Sequence, residues 1–123
     1  MGNVNIKTAE QIADEQWAKW PDRIAAKRYE HEVKGTIFQH SDGNMYGVAT
    51  DRQSQGLVTG AAVQAQRATS TSWRKRWKTA QGFVELSAED ILAMGDAIDE
   101  HVQAAFDRES DLISKWEQGT ITE

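Results

Sequence analysis

The chain has 123 residues, one domain's worth, with 39% apolar and 27% charged residues and a formal net charge of −5. It has no cysteine, which excludes disulfides and thiolate metal sites, while five tryptophans offset the modest apolar fraction. The acidic balance argues against a general nucleic-acid binder, and no apolar run reaches the ~20 residues of a membrane span.

The opening MGNVNIKTAEQ lacks the basic-then-apolar order of a secretory signal and fits a myristoylation signal poorly. The chain therefore reads as soluble and made in the cytoplasm. Residues 1–7 read as an extended lead-in. Thr8-Ala9-Glu10-Gln11 matches a capping box and opens a helix. Ala13, Trp17, Trp20 and Ile24 then share one helical face. Pro21 interrupts, because it lacks an N–H and restricts Trp20, so the pattern predicts two short helices or one kinked helix, roughly 8–20 and 21–33. Lys27, Arg28, Glu30 and Glu32 read as a solvated surface, and Gly35 as a stop.

Thr36–Gln39 and Met45–Val48 flank Ser41-Asp42-Gly43-Asn44, which predicts a hairpin. Thr50-Asp51-Arg52-Gln53 resembles a second capping box, opening a helix to about Ala68. Its apolar face, Leu57, Val58, Ala61, Ala62, Ala65 and Ala68, is mostly small and reads as an ordinary buried face. After a polar loop, Trp73–Thr79 and Phe83–Leu86 predict a second hairpin. Trp73 and Trp77 share a face with Lys75, while Arg74, Arg76 and Lys78 take the other.

Ser87 caps the last helix, with Glu89 and Asp90 in its first turn. Ile91, Gly95, Ile98, Val102, Ala105, Glu109, Leu112 and Trp116 then alternate at four and three, a heptad seam in which Gly95 and Glu109 are defects. Such a seam packs along a small domain or against copies of itself. Gly119 ends the helix. The expected fold is α+β: a small single domain of helices with two short β-hairpins and a long C-terminal helix. Residues 1–27 form a helical arm, 28–119 the domain proper and 120–123 a tail.

Charge is unevenly spread. Residues 87–123 hold ten carboxylates against Arg108 and Lys115, whereas residues 56–84 hold five cations and no carboxylate. That asymmetry suits, first, docking of the basic hairpin on the acidic helix within the chain, and otherwise head-to-tail or subunit contact between the two. No catalytic constellation stands out. His31, His40 and His101 lack metal spacing and read as surface residues. The Asp96/Glu100 and Asp107/Asp111 pairs have no marked cleft or base nearby and read as a solvated acidic face. No enzyme activity, cofactor or metal is expected. Trp73-Arg74-Lys75-Arg76-Trp77-Lys78 interleaves cations with aromatics as single-strand binders do, but the run is six residues long in an acidic protein.

Four segments carry a family resemblance: Arg28–Gly35 (RYEHEVKG), Thr50–Gln55 (TDRQSQ), Trp77–Leu86 (WKTAQGFVEL) and His101–Glu109 (HVQAAFDRE). In their order and spacing they resemble a domain of unknown function found in tail-associated proteins of tailed bacteriophages and prophages, sometimes as the C-terminal part of a tail-fibre chain. The resemblance spans roughly residues 28–117. It implies a structural component of a phage tail at the tail tip, baseplate or tail-fibre attachment, located in the virion and working through protein contacts. A tail-fibre assembly chaperone absent from the mature virion is the alternative. A small nucleic-acid-binding accessory protein is a third reading. The implied partners are other tail or tail-fibre proteins and further copies of the chain, with no membrane. Trp73, Arg74, Arg76 and Trp77 of the hairpin, and Gly95, Ile98, Val102, Glu109, Leu112 and Trp116 of the seam, are the residues expected to meet them.

Overall fold

The computed structural model describes residues 6–122. Residues 1–5, most of the expected lead-in, and Glu123 of the expected tail lie outside the described residues. The elements run α1 (Ala9–Ala18), α2 (Trp20–Glu32), β1 (Thr36–Gln39), β2 (Met45–Val48), α3 (Arg52–Arg67), β3 (Lys75–Thr79), β4 (Gly82–Leu86) and α4 (Ala88–Glu117). The chain is thus a small α+β domain with two antiparallel two-stranded sheets, β1–β2 and β3–β4, and a long last helix.

Side chains fix the helix ends. Thr8 and Gln11 form the expected capping box, each side chain accepting the other's backbone N–H. The helix breaks at Lys19, and Pro21 lies in the first turn of α2, where a missing N–H costs nothing. No break falls at residue 27, so the arm and the domain share α2. Ser87 and Asp90 form another capping box at the start of α4. At its end Gly119 takes a φ of 75°, its N–H bonds Trp116 O at 3.0 Å, and Thr120 N–H bonds Lys115 O at 2.9 Å. This is a Schellman motif, for which a left-handed residue is required.

The second expected capping box is corrected. Asp51 caps α3, accepting from Ser54 N–H at 3.2 Å. Thr50 is fully buried and serves elsewhere: its hydroxyl accepts Gly35 N–H at 2.9 Å and donates to Glu32 O at 2.5 Å. Thr50 thus ties the end of α2 to the start of α3. The second hairpin is also shorter than expected, since β3 begins at Lys75 and leaves Trp73 in the preceding loop.

The core joins Phe38 and Val48 of the first hairpin, Val58, Ala61 and Ala65 of α3, Leu86 of β4, and Ile91, Met94 and Ile98 of α4. The small face of α3 is an ordinary buried face, except that Leu57 is exposed. The two hairpins meet at Gly47, whose carbonyl accepts Ala80 N–H at 2.8 Å and whose N–H donates to Gln81 Oε1 at 2.8 Å. A Cβ at Gly47 would lie 3.1 Å from Ala80 Cβ, so a larger residue forces the hairpins apart.

One patch of the interior is ionic. Glu32 is 2% exposed and receives Arg28 Nη1 at 2.7 Å and Gln55 Nε2 at 2.9 Å, with Arg52 Nε 3.3 Å away. The expectation of a solvated Arg28–Glu32 surface is therefore wrong. Sequence spacing shows that the two share a helix face, but not that Gln55 and Arg52 of α3 close on Glu32 and Phe106 and Glu109 of α4 on Arg28. Burial opposes ionisation of Glu32, yet the hydrogen bonds from Gln55, Arg52 and Arg28 outweigh it and hold the carboxyl below its ordinary range. The last residues also differ from a free tail, because Ile121 is buried.

Candidate assembly surface

The seam of α4 is not one surface. α4 packs against α2, α3 and β1. In its first half, Ile91, Met94 and Ile98 are buried in the core, and Gly95 faces Val58, where an added Cβ would make an ordinary contact at 3.7 Å from Val58 Cγ1. In its second half only Ala105 is buried. Glu109, Leu112 and Trp116 are half-covered, and Val102 sits between the two regimes. Glu109 is no stray defect: its carboxylate lies 3.7 Å from Arg28 Nε, an otherwise unbonded buried nitrogen. Trp116 stacks on Trp17 with ring centroids 6.3 Å apart and donates its indole N–H to Trp17 O at 3.0 Å. This contact pins α1, which buries no residue of its own, against the end of α4.

The hairpin residues lie at the other end. Trp73 and Trp77 pack against the core and are half-buried, while Arg74 and Arg76 are exposed on the opposite face, as the alternation implied. The hairpin joins the start of α4, about 40 Å of helix from Trp116, so the ten expected interface residues do not converge. The expected docking of the basic hairpin on the acidic helix is corrected too. Among the described residues, no ion pair joins Arg74, Lys75, Arg76 or Lys78 to α4. Arg74 donates to Thr71 O and Trp73 O, Lys75 donates to Gln64 Oε1, and Arg76 stands opposite Glu85 in the strand register.

Two histidines expected at the surface are bound into the fold. The His40 side chain is only 11% exposed, with Nε2 2.9 Å from Glu85 O and Nδ1 accepting Asp42 N–H. Nearby, Asp90 accepts Ser41 N–H at 3.0 Å, which fastens the first hairpin's turn to the start of α4. His101 Nε2 lies 2.9 Å from His31 O, and the two imidazoles stack at 5.2 Å. Among the described residues, no group of three or more His, Cys, Asp or Glu side chains forms a metal-holding cluster, and no helix is long and apolar enough to cross a membrane.

What the second half of α4 does form is a groove with α2, of about 850 Å³. Its floor is apolar: Trp20, Ile24, Ala105, Leu112 and Ile121. Among the described residues, its walls carry Arg23, Lys27, Arg28, Lys34 and Arg108 against Glu30 and Glu109. Both carboxylates are already engaged, Glu30 with Lys27 at 3.6 Å and Glu109 with Arg28. Lys34 and Arg108 pair with no carboxylate among the described residues. His31 registers the resulting field: burial, then Lys34, His101 and Arg108, lower its pKa. Among the described residues the groove is thus basic on a protein of charge −5.

The family comparison now has a geometry to stand on. A family model described as a domain of unknown function, DUF4376, matches residues 11–123. The chain belongs to that family. The DUF4376 span takes in most of α1 and every later element, so both walls of the groove fall inside it. No curated protein and no solved structure matches the chain.

Sequence reasoning missed this groove. Arg23 and Lys27 stand one turn apart on α2, Lys34 follows seven residues on, just past its end, and Arg108 is one of two cations in an acidic helix. Those were the available signals. That the two helices face each other is a long-range fact that spacing does not carry.

Proposed function

We propose that this chain is a structural component of a bacteriophage tail, seated at the tail tip, baseplate or tail-fibre attachment, and acting through protein–protein contacts and not by catalysis. Its partners are other tail or tail-fibre proteins and further copies of itself, and its place is the virion after synthesis in the host cytoplasm. The tail context rests on the resemblance over residues 28–117. The observation that carries the contact role is the half-covered end of α4: a charged groove with an apolar floor, beside an α1 arm that leaves Ile12 and Trp17 well exposed. Grooves and helices of this kind are recurring protein-docking surfaces. Mass spectrometry of purified virions tests the reading. The chain should be present in mature particles at fixed stoichiometry. Its absence from particles, with recovery in complex with a fibre chain from cell extract, would replace this reading with the assembly chaperone.

A further inference from the structure

We propose that the basic groove between α2 and α4 receives the acidic outer ridge of α4 from a second copy of the chain, joining copies head to tail. The inference rests on the contact role just described and names the occupant of that groove. On the outer side of α4, Asp96, Asp99, Glu100, Asp107 and Asp111 recur at helical spacing, and all are exposed. None of the five is in an ion pair among the described residues, and Asp107 has only Gln103 Nε2, at 2.8 Å. The ridge therefore presents carboxylates without cations, and the groove presents Lys34 and Arg108 without carboxylates.

Shape agrees with charge. The ridge from Asp96 to Asp111 and the groove from Trp20 to Lys34 each run for roughly 20 Å. A helix ridge seated between two helices is the ordinary way helical surfaces interlock. The apolar floor supplies the non-directional part of the contact, and the charges select register and partner. Ridge and groove are different patches of one molecule. The contact is therefore heterologous, and it continues into a closed ring or an open array.

A charge-swap experiment on the full chain decides it. The groove variant is Lys34→Glu with Arg108→Glu, and the ridge variant is Asp107→Lys with Asp111→Lys. All four positions are exposed, so both variants should melt within a few degrees of the wild type. In sedimentation velocity the wild type should run above the 13.8 kDa monomer, and 0.5 M salt should weaken its association roughly tenfold or more. Each variant alone should stay monomeric, and an equimolar mixture should associate again, because each reversed patch meets a reversed partner. A wild type that remains monomeric at every concentration overturns the proposal, as do two folded variants that associate singly or fail to associate together. None of these outcomes depends on virions, so a monomeric chain found in particles sinks only this proposal, and a self-associating chain absent from particles sinks only the tail reading.

Discussion

The two halves of α4 carry the same heptad pattern and live in different surroundings. From Ile91 to Ile98 the seam is covered by α3, Leu86 and the first hairpin, and its side chains are buried. From Ala105 to Trp116, among the described residues, α2, α1 and Ile121 lie beside it, and the seam is half open. A heptad seam thus shows which face of a helix will be apolar, not what covers it. Coverage follows from where the rest of the chain runs, and here the chain supplies enough material for one half.

The comparison can be broken most directly by truncating one residue in each half. Ile91→Ala should cost about 3–4 kcal/mol, since its site is closed on all sides, whereas Leu112→Ala should cost no more than about 1.5 kcal/mol. Urea unfolding of the two variants reads this difference, and equal costs would mean that the second half is as well packed as the first. Glu32→Ala follows, at about 3 kcal/mol, because it leaves the Arg28 cation, packed between α2 and α4, without its nearest carboxylate. The same unfolding assay reads it, and a near-neutral result would show that solvent reaches Arg28.

Acid offers a milder probe of the body of the fold. Glu32 and Asp90 both have lowered pKa values. In each, burial pushes the pKa upward and is outweighed, by the Gln55, Arg52 and Arg28 bonds for Glu32 and by bonds from Ser87 and Ser41 for Asp90. A lowered folded pKa contributes stability that is complete above the ordinary values of 4.5 and 3.8 and is lost as pH falls through the folded ones. Melting temperature should therefore hold from neutrality to about pH 5 and drop below pH 4. Glu32→Gln should flatten part of that drop. The smallest effect belongs to the far end: Trp116→Ala should cost about 1 kcal/mol, mostly by releasing α1. Limited proteolysis should then cut within residues 9–18 while leaving the body intact.

Much of the fold was legible because its cues are local. The Thr8–Gln11 box, the Ser87 cap, Gly119, Pro21 and the turn at 41–44 each act within a few residues, and each appears where the sequence placed it. The reading failed where a residue serves a distant neighbour. Thr50 looked like a cap and is a buried bridge to Glu32 and Gly35, while Arg28 and Glu32 looked solvated, yet Gln55 and Arg52 of α3 bond Glu32 and Phe106 and Glu109 of α4 lie against Arg28. The candidate assembly surface was half legible. Glu109, Leu112 and Trp116 do lie beside the groove or at its end, but the cations facing them come from α2, some 80 residues earlier in the chain.

Hydrogen exchange along α4, measured by mass spectrometry at low and high protein concentration, tests the division most directly. Amides from Ile91 to Ile98 should exchange only through global unfolding at either concentration. Those from Arg108 to Trp116 should exchange through local opening in dilute solution and gain protection as the concentration rises and copies dock. Uniform protection along the whole helix, unchanged by concentration, would contradict the account.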